Sequence, residues 1–489
     1  MNWKERYIHL FQELISGIDN GDFVNVENIP DKYTYAHLCA LFYLAEELDD
    51  GKVLYEQIYD LAMEHGKMAV QKKIRSGEKI KVAFLAVSAS EWPAEDVYRL
   101  LEKDERCESY VTVSPQPYDH DRDSMLQLYL QTCRFLKQSG HDVREIYDPE
   151  TEKCLGWEAV GGMPDIVIHL TPWYRGLLKE CWIENFPFRC LNCYIPYGIL
   201  AVDSVEKEYA KSFIYNREFM NFCFRVYTDS NINLLGYQTH EMLRGKNVLY
   251  SGYSKMDFFL KKKRFEEEEL RKIWKVPVGA DVHEIKRIII APHHSIESSA
   301  GLAFATFHKN KYFWIYLAKK YGDRVSFIFK PHPNLRARVV QAQVFESLEA
   351  YDAYLKEWEM LPNARVVLEE DYRSIFASSD GMIMDSCSFI AEYMYAGKPL
   401  LFLKREGQAY NPLGEKIMQA HYTEWGEDYF NIERFLQQVI LDGKDTKKEI
   451  REEIFREELD YYTQNKCSAS EYIYRDLCGE LLDIADITK

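Results

Sequence analysis

The stretch Ile80-Lys81-Val82-Ala83-Phe84-Leu85-Ala86-Val87, followed at once by Ser88-Ala89-Ser90-Glu91-Trp92, decides the fold. Before it, apolar residues recur with a helical period in Tyr7, Leu10, Phe11, Leu14 and Ile15, then through Leu38–Leu48 and Val53–Met68. Residues 1–78 are therefore predicted to form a helical N-terminal region. At Ile80 the period gives way to a strand-sized apolar run that exits into a serine-rich loop. Further strands are predicted at Ser109–Ser114, Val143–Tyr147, Asp165–Leu170, Cys190–Ile195, Phe224–Thr228 and Val248–Gly252, with helices predicted over 96–101 and 123–139. Apolar strands alternating with helices mark a parallel sheet covered on both faces.

The alternation stops at Lys261-Lys262-Lys263-Arg264 and Glu266–Glu269 and restarts at Arg287–Ala291. Because the acidic block cancels the basic one, this stretch reads as a solvated linker helix in preference to a basic membrane contact. The second series of predicted strands is Arg287–Ala291, Val325–Lys330, Arg365–Leu368, Gly381–Met384 and Pro399–Leu403. The predicted fold class is α/β, with two Rossmann-like domains in tandem, a helical N-terminal region and C-terminal helices. The boundaries are 1–78, 79–260 for the first Rossmann-like domain, 261–285 for the linker, 286–440 for the second Rossmann-like domain, and 441–489.

At 489 residues the chain is too long for one core. Its 78 acidic against 61 basic residues leave a net charge of −17, which argues against nucleic acid as a partner. Eleven cysteines without framework spacing, and a start at Met1-Asn2-Trp3-Lys4-Glu5 that lacks signal-peptide character, point to a reducing cytoplasm. No apolar run approaches a membrane span, so membrane contact is expected to be peripheral, at the inner face of the cell membrane.

The chemistry is predicted at the strand ends of the second series, since open α/β sheets bind ligands there. Ala291-Pro292-His293-His294-Ser295 follows the first strand, and Lys330-Pro331-His332-Pro333 follows the second. Two prolines aim the His332 ring, and imidazoles can donate hydrogen bonds to a diphosphate. Met384-Asp385-Ser386-Cys387-Ser388 leads into a predicted helix over 389–396 ended by Gly397. Ser386 and Ser388 stand where N-caps belong, and free N–H groups at a helix start attract anions. Glu392, four residues on, interrupts an apolar face and can accept both hydroxyls of a ribose. Asp119-His120-Asp121-Arg122-Asp123 contains an Asp-x-Asp, read as helix capping, and Cys190 with Cys193 forms a lone C-x-x-C, weak as a zinc signal. No Gly-rich P-loop and no Gly-x-Ser-x-Gly elbow occurs.

Lys330-Pro331-His332-Pro333, then Ser379-Asp380, Asp385-Ser386-Cys387-Ser388 and Gly397-Lys398-Pro399, resemble the CDP-glycerol glycerophosphotransferases, the teichoic-acid and capsule primases and polymerases of the GT-B fold. The likeness spans roughly residues 80–440 and is strongest over 286–404. Gly252-Tyr253-Ser254-Lys255-Met256-Asp257 is similar to that family's Gly-x-Pro-Arg-x-Asp turn, with Ser254 for Pro and Lys255 for Arg. The resemblance implies that His332 contacts the donor diphosphate, that Ser386, Cys387 and Ser388 hold phosphate, and that Glu392 holds the ribose. It also implies a Trp-His-Gly turn whose His is the base. The best match here is Ile195-Pro196-Tyr197-Gly198, which puts Tyr197 at the base position. An unperturbed tyrosine with a pKa near ~10 is a poor base, and His169 is the nearest substitute on the same lobe.

The expected activity is transfer of glycerol phosphate or ribitol phosphate from a CDP-activated donor to a glycan or lipid-linked hydroxyl, with release of CMP. Donor contacts are assigned to His293, His294, Ser295, Lys330, His332, Asp385, Ser386, Cys387, Ser388 and Glu392, and catalysis to His332 with His169 or Tyr197. No metal and no cofactor is called for. The alternatives are a nucleotide-sugar glycosyltransferase, a relative of the nucleotide-sugar epimerases, and a catalytically silent subunit of a glycan-assembly complex.

Overall fold

The computed structural model describes residues 2–118, 121–261, 264–297, 302–368, 371–387 and 389–481. The run at Ile80 forms β1 (Ile80–Ala86), joined by β2 (Cys107–Val113), β3 (Ile166–His169), β4 (Leu191–Tyr194), β5 (Arg225–Thr228) and β6 (Val248–Tyr250). These six make one parallel sheet in the order β2-β1-β3-β4-β5-β6. The restart yields β7 (Lys286–Ala291), β8 (Val325–Phe329), β9 (Ala364–Val366), β10 (Gly381–Met384), β11 (Leu400–Lys404) and β12 (Tyr422–Trp425). They form a second parallel sheet in the order β9-β8-β7-β10-β11-β12. That is the doubly wound nucleotide-binding order, so the chain is α/β with two Rossmann-like sheets, as the alternation predicts.

Two strands depart from the sequence reading. Val143–Tyr147 is not a full strand: Val143 makes a lone parallel bridge to Val111, and Tyr147-Asp148 pairs only with Lys153-Cys154. The segment carries Arg144 and Glu145, which are ion-paired to Glu108, Asp142 and Lys137, so it skirts the sheet edge and buries only Ile146 and Tyr147. The stub still takes the third position beside β2, and the two sheets thereby share one strand order. β12 escapes the sequence because Tyr422-Thr423-Glu424-Trp425 is a partly exposed edge strand without an apolar run.

The chain divides into two compact units. The first holds residues up to Tyr197, Ile214–Lys255 and the chain from Tyr461 onward; the second holds Gly198–Phe213 and Met256–Asp460. In the first unit, helices Tyr35–Leu44 and Gly51–Arg75 pack against the amino ends of β4 and β5. Their buried tyrosines cap backbone carbonyls there: Tyr35 donates to Cys190 O (3.0 Å), Tyr55 to Asn221 O (2.8 Å) and Tyr59 to Cys223 O (2.8 Å). The helix Ala469–Leu481 returns to the same unit, where Asp476 accepts from Arg225 (3.1 Å) and from the Tyr227 hydroxyl (2.8 Å). Gly252 turns the chain after β6 at φ +86°, and a Cβ there would lie 2.1 Å from the Tyr461 ring, so glycine is required twice over. The second unit packs Trp314, Phe327, Phe329 and Trp358 into one cluster, with the Phe329 and Trp358 rings stacked at 5.0 Å. Among the described residues, no helix is long and apolar enough to cross a membrane.

Glu241 is a buried exception in the first unit. It is 3% exposed, its Oε2 accepts the Gly245 N–H at 2.9 Å, and its Oε1 has no hydrogen-bond partner. Burial pushes its carboxyl up to about 8. The folded chain thus holds a proton that an unfolded one releases near pH ~4.3, and stability falls as pH rises from there to about 8. Glu241→Gln keeps the Gly245 bond and never ionises. Its melting temperature is expected to match wild type at pH 4.5 and to exceed it increasingly up to pH 8. A pH-independent difference in calorimetric scans would show that the carboxyl is not buried in its neutral form.

Candidate functional site

The second sheet reverses its strand order between β7 and β10, and the loops leaving those strands meet at one carboxylate. Asp385 follows β10 directly and is 1% exposed. One oxygen accepts the His293 backbone N–H at 2.6 Å; the other accepts from the Thr306 N–H and, at 2.8 Å, from the Thr306 hydroxyl. Thr306 opens the helix Phe307–Lys320. Burial raises the Asp385 carboxyl to about 6, while hydrogen bonds from Thr306 and His293 act the other way. Asp385, assigned to donor contact from sequence, has its oxygens turned to the backbone of its own loops, so its part is to position them. Ser295 is also internal: its hydroxyl meets His293 Nδ1 at 2.8 Å and accepts the Phe304 N–H at 2.9 Å.

Three histidines gather above this joint, with ring centroids 4.2 Å apart for His293 and His294, 4.1 Å for His294 and His332, and 5.1 Å for His293 and His332. The two loops are tied by the His332 N–H donating to Pro292 O at 3.0 Å. His332 Nδ1 accepts the Asn334 N–H (3.1 Å), and His293 Nδ1 accepts the Ser295 N–H (3.3 Å). A neutral ring that accepts at Nδ1 carries its proton on Nε2. Burial keeps these rings neutral. It drives His332 down to about 3, with His294 and Lys330 adding to the effect, and His294 to about 4, with Arg338 adding; His293 also lies well below the usual range. His293 Nε2 faces Cys387 Sγ at 3.3 Å. One nitrogen of each ring lies within 4.8 Å of the others, a spacing that a metal ion could use. An Nε2–H tautomer suits an anion better, because a metal needs the lone pair where that proton sits.

Beside the histidines, Lys330 is buried at the end of β8 with its Nζ 5.9 Å from the centre of the Tyr372 ring. The Tyr372 hydroxyl donates to Glu392 Oε2, and Glu392 is 2% exposed. A Cβ on Gly198 would come within 3.7 Å of Glu392 Oε1, an ordinary contact, so Gly198 lies directly against the carboxylate. The sequence missed Tyr372, which joins Lys330 to Glu392 from twenty positions upstream and shares no helical spacing with either. The predicted helix over 389–396 is one α-turn, Phe389–Glu392, followed by a 3-10 turn, Tyr393–Ala396, ended by Gly397 at φ 67°. So short a piece carries little dipole, which weakens the helix-start anion site expected from the sequence. Ser388 lies outside the described residues.

In the first unit, His169 cannot serve as the acceptor base. It is 0% exposed within β3, its Nε2 is 2.9 Å from Asn192 Oδ1, and its ring is enclosed by Phe186 and Phe219. An apolar strand ending in His looks the same in sequence whether the ring points into the core or out of the sheet. Tyr197, three residues beyond β4, lies on the loop side and receives the Trp173 indole N–H at 3.0 Å. Tyr253 donates to Tyr197 O (2.6 Å), and Lys255, where the family has Arg, donates to Ser90 O (2.7 Å), tying the loops after β6 and β1 together. Asp121 caps the helix Arg122–Gln138 through Asp123 N and Ser124 N, while Asp119 and His120 lie outside the described residues. Cys190 and Cys193 are buried free thiols. The short helix Glu267–Ile273 is exposed and self-paired through Arg271–Glu267 and Lys272–Glu268; Lys262 and Lys263 before it lie outside the described residues.

The family model described as CDP-glycerol:poly(glycerophosphate) glycerophosphotransferase matches residues 207–479, more than half of the chain. No curated protein matches. Among solved structures, the wall teichoic acid polymerase TagF is similar at 12% identity and a TM-score of 0.50, covering 89% of this chain and 98% of that one. A TagF variant soaked with CDPG gives 11% identity, a TM-score of 0.50, and 89% and 98% coverage. The UDP-GlcNAc 2-epimerase from Neisseria meningitidis, bound to UDP-GlcNAc, gives 14% identity, a TM-score of 0.49, and 82% and 100% coverage. At these identities the TagF likeness speaks for the fold.

Asp385→Ala would leave two buried N–H groups and a hydroxyl without their acceptor. At about 1–3 kcal/mol for an unsatisfied buried group, partly offset by relaxation, the expected loss is about 2–5 kcal/mol in urea unfolding. Asp385→Asn, which keeps one acceptor oxygen, is expected to lose less. A loss below about 1 kcal/mol in the alanine variant would show that the loops hold without this joint.

Proposed function

The chain belongs to the CDP-glycerol:poly(glycerophosphate) glycerophosphotransferase family and is a transferase, and from that premise we propose that it moves a polyol phosphate from a CDP-activated donor to a hydroxyl of a glycan or lipid-linked acceptor in teichoic-acid synthesis. What supports the donor assignment is the cluster of His293, His294 and His332 at the strand-order reversal, with Lys330 and Glu392 beside it. The diphosphate would accept from the His332 Nε2–H and from His294, with the Lys330 ammonium and the Ser386 hydroxyl close by. The ribose would meet Glu392 beside Gly198.

The acceptor oxygen attacks the distal phosphorus. A new phosphorus–oxygen bond forms, the bond to the bridging oxygen breaks, and CMP departs with the electron pair. Charge grows on the leaving phosphate, where N–H donors already in place stabilise it without reorganisation. Tyr197, which the Trp173 indole holds in place, would take the acceptor proton as a tyrosinate, so this step is favoured at alkaline pH. The enzyme would work at the inner membrane face, as a peripheral protein supplied with donor from the cytoplasm.

Neutral imidazoles in the free enzyme set the pH dependence of donor binding. With His332 at about 3 and His294 at about 4, the rings donate to the diphosphate as neutral N–H groups, so donor binding takes up no proton from them and is flat between pH 8 and 6. Calorimetry with CDP-glycerol in buffers of different ionisation enthalpy reads any uptake directly, and uptake of a proton in that window would show that the rings bind the diphosphate as imidazolium and not as neutral donors.

A donor panel of CDP-glycerol, CDP-ribitol and UDP-sugars tests the reaction itself. CMP release is expected, and UDP release would convert the reading to sugar transfer. His332→Ala is expected to abolish turnover with the fold intact. Glu392→Gln should weaken CMP binding about tenfold, in line with about 1.5–3 kcal/mol for a charged hydrogen bond, but should cost a 2′-deoxy nucleotide little more. Additive losses in that cycle would mean that Glu392 never touches the ribose.

A further inference from the structure

A phenol is a poor base until its surroundings favour the ionised form, and two side chains on the loops beyond the first sheet are placed to do that. Trp173 lies four residues past the end of β3, and its indole N–H reaches the hydroxyl oxygen of Tyr197, three past the end of β4, at 3.0 Å. An indole can only donate. The bond therefore strengthens as negative charge gathers on the phenolic oxygen, since hydrogen bonds to an ionised acceptor are about twice as strong as neutral ones.

A cation stands behind the indole. Arg217 lays its guanidinium over the Trp173 ring, 4.4 Å from the ring centre. Its backbone is fixed there: it is the N-cap of Glu218–Phe222, and its carbonyl accepts the Met220 N–H at 3.1 Å and the Asn221 side-chain amide at 3.0 Å. Among the described residues Arg217 forms no ion pair, and its Nε is buried without a hydrogen-bond partner. The nearby carboxylates are engaged elsewhere, Glu218 with Arg175 at 3.6 Å and Glu184 with Arg175 at 2.8 Å. A cation on the face of an indole draws density from the ring and makes its N–H a stronger donor.

The other titratable groups around Tyr197 do not supply this effect. Tyr194 on β4 interacts with Tyr197, Tyr253, Tyr237 and Asp229, and burial keeps its phenol neutral. Tyr253 donates to the Tyr197 carbonyl at 2.6 Å, and Lys255 on the same loop turns to Ser90 O at 2.7 Å. Asp229, facing Tyr194, and Glu392, beside Gly198, are carboxylates, which oppose ionisation of a phenol.

We propose that Trp173 and Arg217 are positioning residues that make Tyr197 the base on the acceptor side, the indole donating to its oxygen and the guanidinium strengthening that donor. This rests on the transfer reaction proposed above, and it accounts for a tyrosine standing where the family's turn carries histidine. The phenol then ionises at a lower pH than it would alone, and the alkaline rise of turnover begins correspondingly earlier.

The test is a fluorine NMR titration of the full chain with a ring-fluorinated tyrosine in place of Tyr197, beside the same protein carrying Arg217→Gln, Arg217→Lys or Trp173→Phe. Trp173→Phe keeps a ring under Arg217 and removes only the N–H. The resonance is expected to titrate about one pH unit higher in Arg217→Gln and in Trp173→Phe, with Arg217→Lys in between. CMP release from CDP-glycerol, with glycerol as the acceptor hydroxyl and the natural Tyr197, is followed over the same pH range. Its rising limb should move with the titration, leaving about one-tenth of the wild-type rate below the limb and a rate near wild type above it. A lower rate at every pH with an unmoved limb, or a titration that Arg217→Gln and Trp173→Phe leave in place, would overturn the proposal. If the titration moves and the limb of CMP release does not, the pair sets the phenol but Tyr197 is not the base of the transfer proposed above.

Discussion

The second unit depends on how a single carboxylate, Asp385, spends its two oxygens. One holds the loop that carries His293, and the other holds the start of the helix Phe307–Lys320. These are neighbouring strand ends at a reversal of strand order, where the backbone splays and its N–H groups have no ladder partner. With the loops pinned, Pro292 O can receive the His332 N–H, and the third strand end is drawn into the same assembly. Removing the carboxylate would loosen three chain segments at once.

The fold was legible because its signal is redundant. Two series of apolar strands each repeat the same alternation, and a parallel sheet buried on both faces has little choice but to be written that way. The clustering of His293, His294 and His332 was legible for a similar reason, since equivalent strand ends in one sheet converge. What the sequence hid depends on direction or on distant partners. His169 ends an apolar strand, and only the pleat tells whether its ring faces Phe219 or solvent. Tyr372 meets Glu392 across a tertiary contact with no local period. Val143 and Tyr422 belong to sheet edges, where half-exposed residues dilute the apolar pattern.

The electrostatics of the donor region follow from burial more than from charge. A strongly acidic chain that must attract a diphosphate could surround it with lysines. Here the groups nearest the proposed phosphate position are neutral rings whose N–H bonds are oriented by their own backbone, through Asn334 and Ser295. Such donors hold less net charge in the free state and so repel one another less than a cluster of ammonium groups at this spacing would.

The return of the helix Ala469–Leu481 to the first unit has a consequence for biosynthesis. Arg225 and Tyr227 on β5 wait for Asp476, and Gly252 waits for the Tyr461 ring, yet about 200 residues of the second unit are made in between. At about 5–20 residues per second, that interval lasts on the order of 10–40 s. Through it the nascent sheet carries an uncovered flank while the ribosome completes the other half. The stretch from Tyr461 is thus a latch, and a chain cut short before it has two halves both present but only one of which can close.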